Sequence, residues 1–361
     1  MKKSLIALAV AGAVSAPAFA ATSNVDIYGQ LTLSYDYINT DTNVVGADKK
    51  LSRISSNSSR IGFKGSEDLG GGLAAIWQIE NQLDMDNGTN NLTGGTLGAG
   101  GFSTAMRNTF VGLKSNSFGT VLLGKHDTPY KLATGKLDIF ADTLGDYNNI
   151  VGNVNGSNNF DLRPGNVAAY ITPTFSGLHG AIAYVAGNEV GNGTAPNQSA
   201  WSAMGMYDNG PLFASLAYEK HNNLNATGDD RDAWKAGVGY KFGDAQLGLI
   251  YEDAETVLGA NNVKSRKAWY LNGQYTMGAI VLKAAYGRAG DVKTQADTSA
   301  RTFDLGADYN LSKRTKMYAV YQKTNNDTNG TYGLGAGQGS ALTPGAGEDP
   351  SAFSIGVRHT F

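Results

Sequence analysis

The chain has 361 residues, with 29 basic against 31 acidic side chains, 48 glycines, 18 tyrosines, 8 prolines and no cysteine. There is no basic excess to attract nucleic acid, and no disulfide can hold the fold. High Gly and Tyr with little Pro favour strands and tight turns over helices.

The chain opens with a secretory signal. Lys2 and Lys3 form a positive n-region, Leu5 to Val14 an apolar h-region, and Ala18-Phe19-Ala20 a small-x-small cleavage site. Cleavage of residues 1–20 leaves 341 of the 361 residues, 21–361, as one domain. Lys2 and Lys3 go with the signal, so 27 basic residues remain against 31 acidic ones, a net charge of −4. No later stretch approaches the roughly 18 consecutive apolar residues of a membrane helix. An exported soluble protein and a membrane β-barrel both remain open at this point.

Strands read clearly from Asn24 onward. Val25, Ile27, Gly29, Leu31, Leu33, Tyr35 and Tyr37 alternate with Asp26, Tyr28, Gln30, Thr32, Ser34 and Asp36. Such a strand separates two different media. The same period recurs at Trp234–Phe242, Ala245–Glu252, Trp269–Met277 and Thr302–Tyr309. Short turns are expected at Glu67–Gly72, Ser117–Gly119, Phe175–Gly177, Asp208–Gly210, Gly243–Asp244, Met277–Gly278 and Leu311–Lys313. Longer polar loops lie between them, at Thr40–Leu51, Asp84–Thr104, Thr128–Pro164, Gly187–Gln198, Asn222–Arg231, Asp253–Lys264, Gly290–Ser299 and Asn326–Asp349. Short turns at one end and long loops at the other, separating about 16 strands, are the pattern of an outer-membrane barrel.

A membrane barrel also explains both faces. Tyr35, Tyr37, Tyr251 and Trp269 cap apolar faces at one end, and Tyr240, Phe242, Tyr309 and Phe361 at the other, as two aromatic girdles. The opposite faces carry Lys, Asp, Gln and Thr, which suits a water-filled lumen. The final strand, Ser351 to Phe361, must close against the first, because an open edge in lipid leaves backbone groups unsatisfied at several kcal/mol each.

The third long loop, Thr128–Pro164, lacks period-2 alternation. Leu132, Leu137, Ile139, Phe140 and Leu144 want a surface to pack on, and Asp138, Asp142 and Asp146 recur among them. Loops of this length are usually functional or disordered, and this composition is not that of a disordered tail. Two readings stand for it: an ordinary surface loop, or a segment that folds inward and packs on the inside of the barrel, which is the expectation taken here.

The stretches VDIYGQL (25–31), SSRIGFKGSEDLGGGLAAIWQIE (58–80), FVGLKSNSFGTVLLGK (110–125), AYITPTFSGLHGAIAY (169–184), YDNGPL (207–212), LSKRTKMYAVY (311–321) and IGVRHTF (355–361) carry a family resemblance. The chain resembles the general porins of Gram-negative bacteria, in the branch found in Neisseria, Comamonas and Burkholderia. That resemblance implies an all-β, 16-stranded antiparallel transmembrane barrel, assembled as a homotrimer, with its third loop in the lumen. It implies a passive channel for ions and small hydrophilic solutes, placed in the outer membrane among its lipids and lipopolysaccharide. It implies that Phe361 is part of the signal read by the barrel assembly machinery. The family sets basic wall residues against an acidic patch at the narrowest point. Arg60, Arg107 and Arg163 match the basic positions; Glu80 and, in KLDIF, Asp138 match the acidic ones. Where other members carry a PEFGG-like acidic turn this chain has DTLGD, so Asp142 and Asp146 join Lys64 as secondary pore-lining candidates.

An Arg facing lipid at mid-membrane costs roughly 2–4 kcal/mol, which sends Arg60 and Lys64 to the lumen. Lys64 reads more simply as a solvated lumen residue. No catalysis is expected: His126, His179, His221 and His359 lie in unrelated segments without an HExxH or GxSxG pattern. No cofactor or metal is expected either. The Asp84–Gly88 cluster lacks EF-hand spacing. Two other readings remain: an adhesin whose barrel is only an anchor, and a solute-specific channel. The polar lumen faces weigh against the first, and the small number of lumenal tyrosines such as Tyr28 and Tyr270 against the second.

Overall fold

The computed structural model describes residues 24–42, 50–86, 101–187, 198–224, 228–258, 262–335 and 341–361. The expected signal peptide, 1–20, lies outside the described residues. The chain forms one closed antiparallel barrel of 16 spans. Two of these spans are each built from two strand segments. Lys50–Ser56 and Arg60–Gly70 both pair with the first strand, Asn24–Asn39. Gly101–Met106 and Thr109–Ser115 both pair with Leu73–Asp84.

Alternation sets the wall. In Asn24–Asn39, Leu33, Tyr35 and Tyr37 are exposed, while Thr32, Ser34 and Asp36 are buried. The same holds around the barrel, where Leu216, Trp234, Leu249 and Phe303 point out, and Glu219, Lys235, Glu252 and Thr302 are buried. This is a soluble protein turned inside out. So continuous an apolar exterior far exceeds the few hundred Å² that a monomeric soluble protein tolerates; in a bilayer it is the face that lipid solvates.

All seven short turns fall where the sequence places them. In four of them two residues connect the strands: Gly71 and Gly72 in one, and in the other three the residues between Asn209 and Leu212, Phe242 and Ala245, and Met277 and Ile280. In those three the first residue is Gly at φ of 60, 60 and 59°. A type II′ turn needs a positive φ at that position, and its twist matches the strands it joins.

At the opposite end the strands reach further than expected. The Asp253–Lys264 connection is mostly ladder: one strand continues to Val257 and the next begins at Val263, with Glu255 opposite Ser265. Likewise the Asp84–Thr104 loop gives way to strand at Gly101. Hydrogen bonding between neighbours persists past the apolar band, since nothing in water forbids a polar strand.

Two spans are broken part-way along. Residues 57–59 interrupt one, with Ser58 at φ 52°. Asn57 Nδ2 donates to Ser34 Oγ and to the Tyr318 hydroxyl at 2.8 and 3.0 Å, and Ser59 Oγ donates to the Thr32 carbonyl at 3.1 Å. Residues 107–108 interrupt the other, where the Arg107 N–H donates to the Glu80 carbonyl at 2.8 Å. Such irregularities re-aim side chains, and each lies beside an arginine singled out from sequence.

Closure joins Ser351–Thr360 to Asn24–Asn39, with Leu33 opposite Val357. Beyond the last strand residue, Phe361 continues the ladder. Its N–H donates to the Gly29 carbonyl at 3.1 Å, and the Gly29 N–H donates to its carbonyl at 3.0 Å. A Cβ at Gly29 would collide with the Phe361 ring, so the glycine keeps that seat open. Deleting Phe361 removes both bonds and the ring together. The folded, heat-modifiable species should then fall to a small fraction of wild type in outer-membrane extracts. A wild-type level would show that the seam closes without it.

Candidate functional site

The segment 128–164 begins as a short helix, Pro129–Leu132, capped by Thr128, whose side chain accepts from the Lys131 N–H. Proline at its first position suits a helix start, where no N–H is needed. From there the segment is fixed to strand residues on the face opposite the exposed apolar one. The Tyr130 N–H donates to Ser202 Oγ at 2.9 Å, and its hydroxyl to Glu252 Oε1 at 2.7 Å. Glu252 also accepts from the Gly152 N–H at 3.0 Å and pairs with Arg266 at 2.8 Å. Arg266 Nε donates to the Asn153 carbonyl at 3.0 Å. Lys235 pairs with Asp161. Glu252, Arg266 and Lys235 are wholly buried, which is tolerable because each charge is met by an opposite charge and hydrogen bonds.

The apolar side chains of the segment find bare backbone. A Cβ at Gly237 or Gly239 would stand 2.8 Å from a Leu137 methyl, and one at Gly306 2.6 Å from the Phe140 ring. At Gly287 it would meet Ile150 at 3.1 Å. Glycines on the inner face are therefore the seats for these residues. Leu144, also singled out from sequence, is buried against Ile38 and Leu334.

Midway along the segment Asp142 takes a left-handed backbone, φ 58°, a conformation that Asp tolerates better than most residues. Its carboxylate lies 3.3 Å from Arg60 and 3.8 Å from Arg358, and Gln30 Nε2 donates to it at 2.8 Å. Arg358 Nη2 also donates to the Ala141 carbonyl at 2.7 Å. Burial alone would raise the carboxyl pKa, but Arg60 and Arg358 outweigh it and hold Asp142 below the usual carboxylate range.

The other expected basic residues lie close by. Arg107 Nε is 2.6 Å from Glu80, which also accepts from the Tyr28 hydroxyl at 2.8 Å. Arg163 is 3.0 Å from Asp127, a carboxylate it shares with Lys131 at 3.9 Å. Arg107, Arg163, Lys131, Asp138, Asp142 and Asp146 line one cavity of about 370 Å³.

Lys64 is set apart, exposed, with Nζ 5.2 Å from the centre of the Tyr28 ring. Asp138, expected as an acidic partner, instead accepts from the Phe140 N–H at 3.1 Å. Among the described residues no basic side chain pairs with it. Burial and the neighbouring Asp146 push its pKa well up. Burial likewise lifts Asp146 to about 6, with the Asp142 charge adding to it. Asp142 thus occupies the position facing the wall arginines.

Sequence reasoning missed Arg358, Asp127 and Lys131. Arg358 was legible as a lumen residue from its alternation with Val357 and His359. Its partner, more than two hundred positions away, was not. Further along the same face, Lys283 and Lys316 both stand 2.6 Å from Asp308.

The chain as a whole is similar to known proteins. A sequence model described as Gram-negative porin matches residues 7–329. Outer membrane porin protein 32 of Delftia acidovorans is 32% identical over 379 residues, covering 100% of both chains. Major outer membrane protein P.IB of Neisseria meningitidis is 29% identical, again with 100% of each chain covered. The structure of the anion-selective porin from Comamonas acidovorans superposes with a TM-score of 0.80 at 29% identity, covering 94% of this chain and 100% of that one.

The Glu252 anchor makes its own prediction. Glu252→Ala leaves Arg266 buried without its carboxylate and Tyr130 without an acceptor, at a cost of about 3–5 kcal/mol. The variant barrel should unfold at lower temperature and should be cut by protease within 128–164. Unchanged melting and protease resistance would mean that the segment is held by other contacts.

Proposed function

The chain belongs to the Gram-negative porin family, and from that premise we propose that it is a passive outer-membrane diffusion channel with a charged constriction and a modest preference for anions. Its relatives are channels rather than enzymes, and the barrel lies in the outer membrane. The observation that carries the reading is Asp142. It stands on a segment anchored to one wall by Glu252, Arg266 and Lys235, yet meets Arg60 and Arg358 from strands on the other side. A segment bonded to both walls crosses the lumen and narrows it.

Opposed charges in such a passage set up a transverse field. Two unit charges at 4 Å interact by about 1 kcal/mol in water and about 4 kcal/mol at an effective dielectric of 20. A few confined charges therefore bias passage although the cleaved chain is net negative.

The sign follows from counting. Arg60 and Arg358 share Asp142, Arg107 has Glu80, Arg163 and Lys131 share Asp127, and Lys283 and Lys316 share Asp308. Seven cations stand against four carboxylates in these groups. Asp138 and Asp146 reduce the margin only when ionised, and both hold their protons to higher pH than an ordinary carboxyl. As in other members of the family, the working unit is proposed to be a homotrimer, each protomer carrying its own pore.

The zero-current potential across a planar bilayer under a KCl gradient tests this. Wild type should give an anion-preferring potential, weakened at high salt as the Debye length falls to about 3 Å at 1 M. Exchanging Arg60, Arg107 and Arg163 for Ser removes three of the seven cations, so the potential should move toward cation preference. A mutant potential equal to that of wild type would remove these arginines from the constriction.

The same potential should depend on pH. Asp146 is neutral below about 6 and charged above it, so anion preference should be greater at pH 5 than at pH 8. Asp142 stays ionised throughout and contributes no change in that interval. In Asp146→Asn the step near pH 6 should shrink; a step of wild-type size would assign it to another group.

A further inference from the structure

We propose that the lumen carries, apart from its charged passage, a binding site for a small α-amino acid with an apolar side chain, built from Glu219, His221 and Arg231. The inference goes beyond the proposed ion preference and does not depend on it. The cavity concerned shares no lining residue with the one at Asp142.

The site lies where both ends of segment 128–164 meet the wall, towards the long loops. Glu219 and His221 are two apart on one strand, so they share its lumenal face, and both are buried. Arg231 stands directly opposite His221 on the next strand. His221 Nε2 donates to Glu219 Oε1 at 2.7 Å, and Arg231 Nε donates to His221 Nδ1 at 3.0 Å. The Arg231 bond fixes the tautomer: Nδ1 accepts, so the ring proton is on Nε2. Phe160 stacks on the imidazole with ring centres 4.9 Å apart, and the guanidinium lies 5.3 Å from the Phe160 ring centre. The clamped imidazole keeps apart two opposite charges that would otherwise pair.

Each of the two is left with unused bonding capacity. Glu219 is wholly buried, yet its Oε2 has no hydrogen-bond partner. A buried acceptor left unmet is costly. Arg231 uses one N–H on His221 and two on Asn159, at 2.7 and 2.9 Å, which leaves two of its five. Glu219 reaches it only through the imidazole. All three residues line a cavity of about 250 Å³ whose other walls include Leu162, Pro164, Val185 and Leu224. An apolar pocket with a few convergent polar groups is the usual form of a small-molecule site. Leu162, Pro164, Leu224 and Arg231 are only half-buried, so a solute can enter from water.

The charges say which solute. A lone carboxylate bound to Arg231 would stand near Glu219, and a lone ammonium at Glu219 would stand near Arg231. A zwitterion meets both. The imidazole sets the two groups one ring and two hydrogen bonds apart. An α-amino acid, with both charges on one carbon and a hydrogen bond of about 2.7–2.9 Å at each end, spans a comparable gap. Its ammonium then meets Glu219 Oε2, its carboxylate the open side of the guanidinium fork, and its side chain the apolar walls.

Equilibrium binding of radiolabelled L-leucine to the full-length porin in detergent tests the site. Leucine methyl ester and 4-methylpentanoate, each lacking one of the two charges, serve as competitors. Wild type should bind leucine saturably. Both competitors should displace it at least tenfold less well than unlabelled leucine, each having lost a charge-assisted bond. Glu219→Gln keeps the shape of the side chain and should weaken leucine binding roughly tenfold or more. It should also narrow the gap between leucine and 4-methylpentanoate, which a merely loosened wall would not do. Ala200→Phe, opposite His221, fills the cavity and should abolish binding with both charges in place. Its zero-current potential in KCl should match wild type, so failure of this site and failure of the constriction are read separately. If Glu219→Gln does not fold, Ala200→Phe and the competitors decide the matter. Absence of saturable leucine binding by folded wild type would overturn the proposal. So would 4-methylpentanoate competing as well as leucine, or unchanged leucine binding in the folded variants.

Discussion

A strand edge cannot be left open in hydrocarbon. Each unpaired N–H or C=O there costs several kcal/mol, so the first and last strands must meet, and the rest of the architecture depends on that closure. With the ladder closed, alternation has only two destinations, lipid and lumen. Apolar side chains go outward. Charges that would be unaffordable in lipid gather inside, where Asp36, Glu252 and Arg266 are buried and paired or hydrogen-bonded. The bonds between Gly29 and Phe361 belong to the same seam.

An interior lined with paired charges is also a surface on which a loop can be mounted. The 128–164 segment uses two kinds of contact. Buried ion pairs fix its polar atoms at Glu252, Arg266 and Lys235, and glycines on the strands accept Leu137, Phe140 and Ile150 against bare backbone. Breaking either kind would be costly, so the segment is held rather than draped. In the proposed channel this rigidity matters more than the charges themselves: a field across the lumen depends on Asp142 staying opposite Arg60 and Arg358. The two ladder breaks, at 57–59 and 107–108, lie beside Arg60 and Arg107 on the other wall.

Much of this was legible from residues alone. Strand count, turn positions and the two faces follow from period-2 alternation, and the glycines that seat the loop already stood in the polar registers beside Lys235, Glu252 and Asp304. What the sequence could not give was pairing. Arg60 and Asp142 are 82 positions apart, and three acidic residues four apart in one loop look equivalent in one dimension. Burial separates them. Asp142 reaches two arginines and ionises readily, while burial raises the pKa of Asp138 and of Asp146, with the Asp146 charge adding to the first and the Asp142 charge to the second. Loop ends were misjudged for a related reason: polar composition resembles a loop, yet strands such as Ala245–Val257 continue their ladder into water.

The central claim is that Asp142 stands in the conducting path. Since the chain has no cysteine, Asp142→Cys gives a single reactive thiol. Current through open channels should be recorded while a charged, water-soluble thiol reagent is added. The expected result is a stepwise fall in conductance as each pore is modified, with anionic and cationic reagents shifting ion preference in opposite directions. Full modification, confirmed by mass, with conductance and selectivity unchanged would place Asp142 away from the path and contradict the proposed constriction.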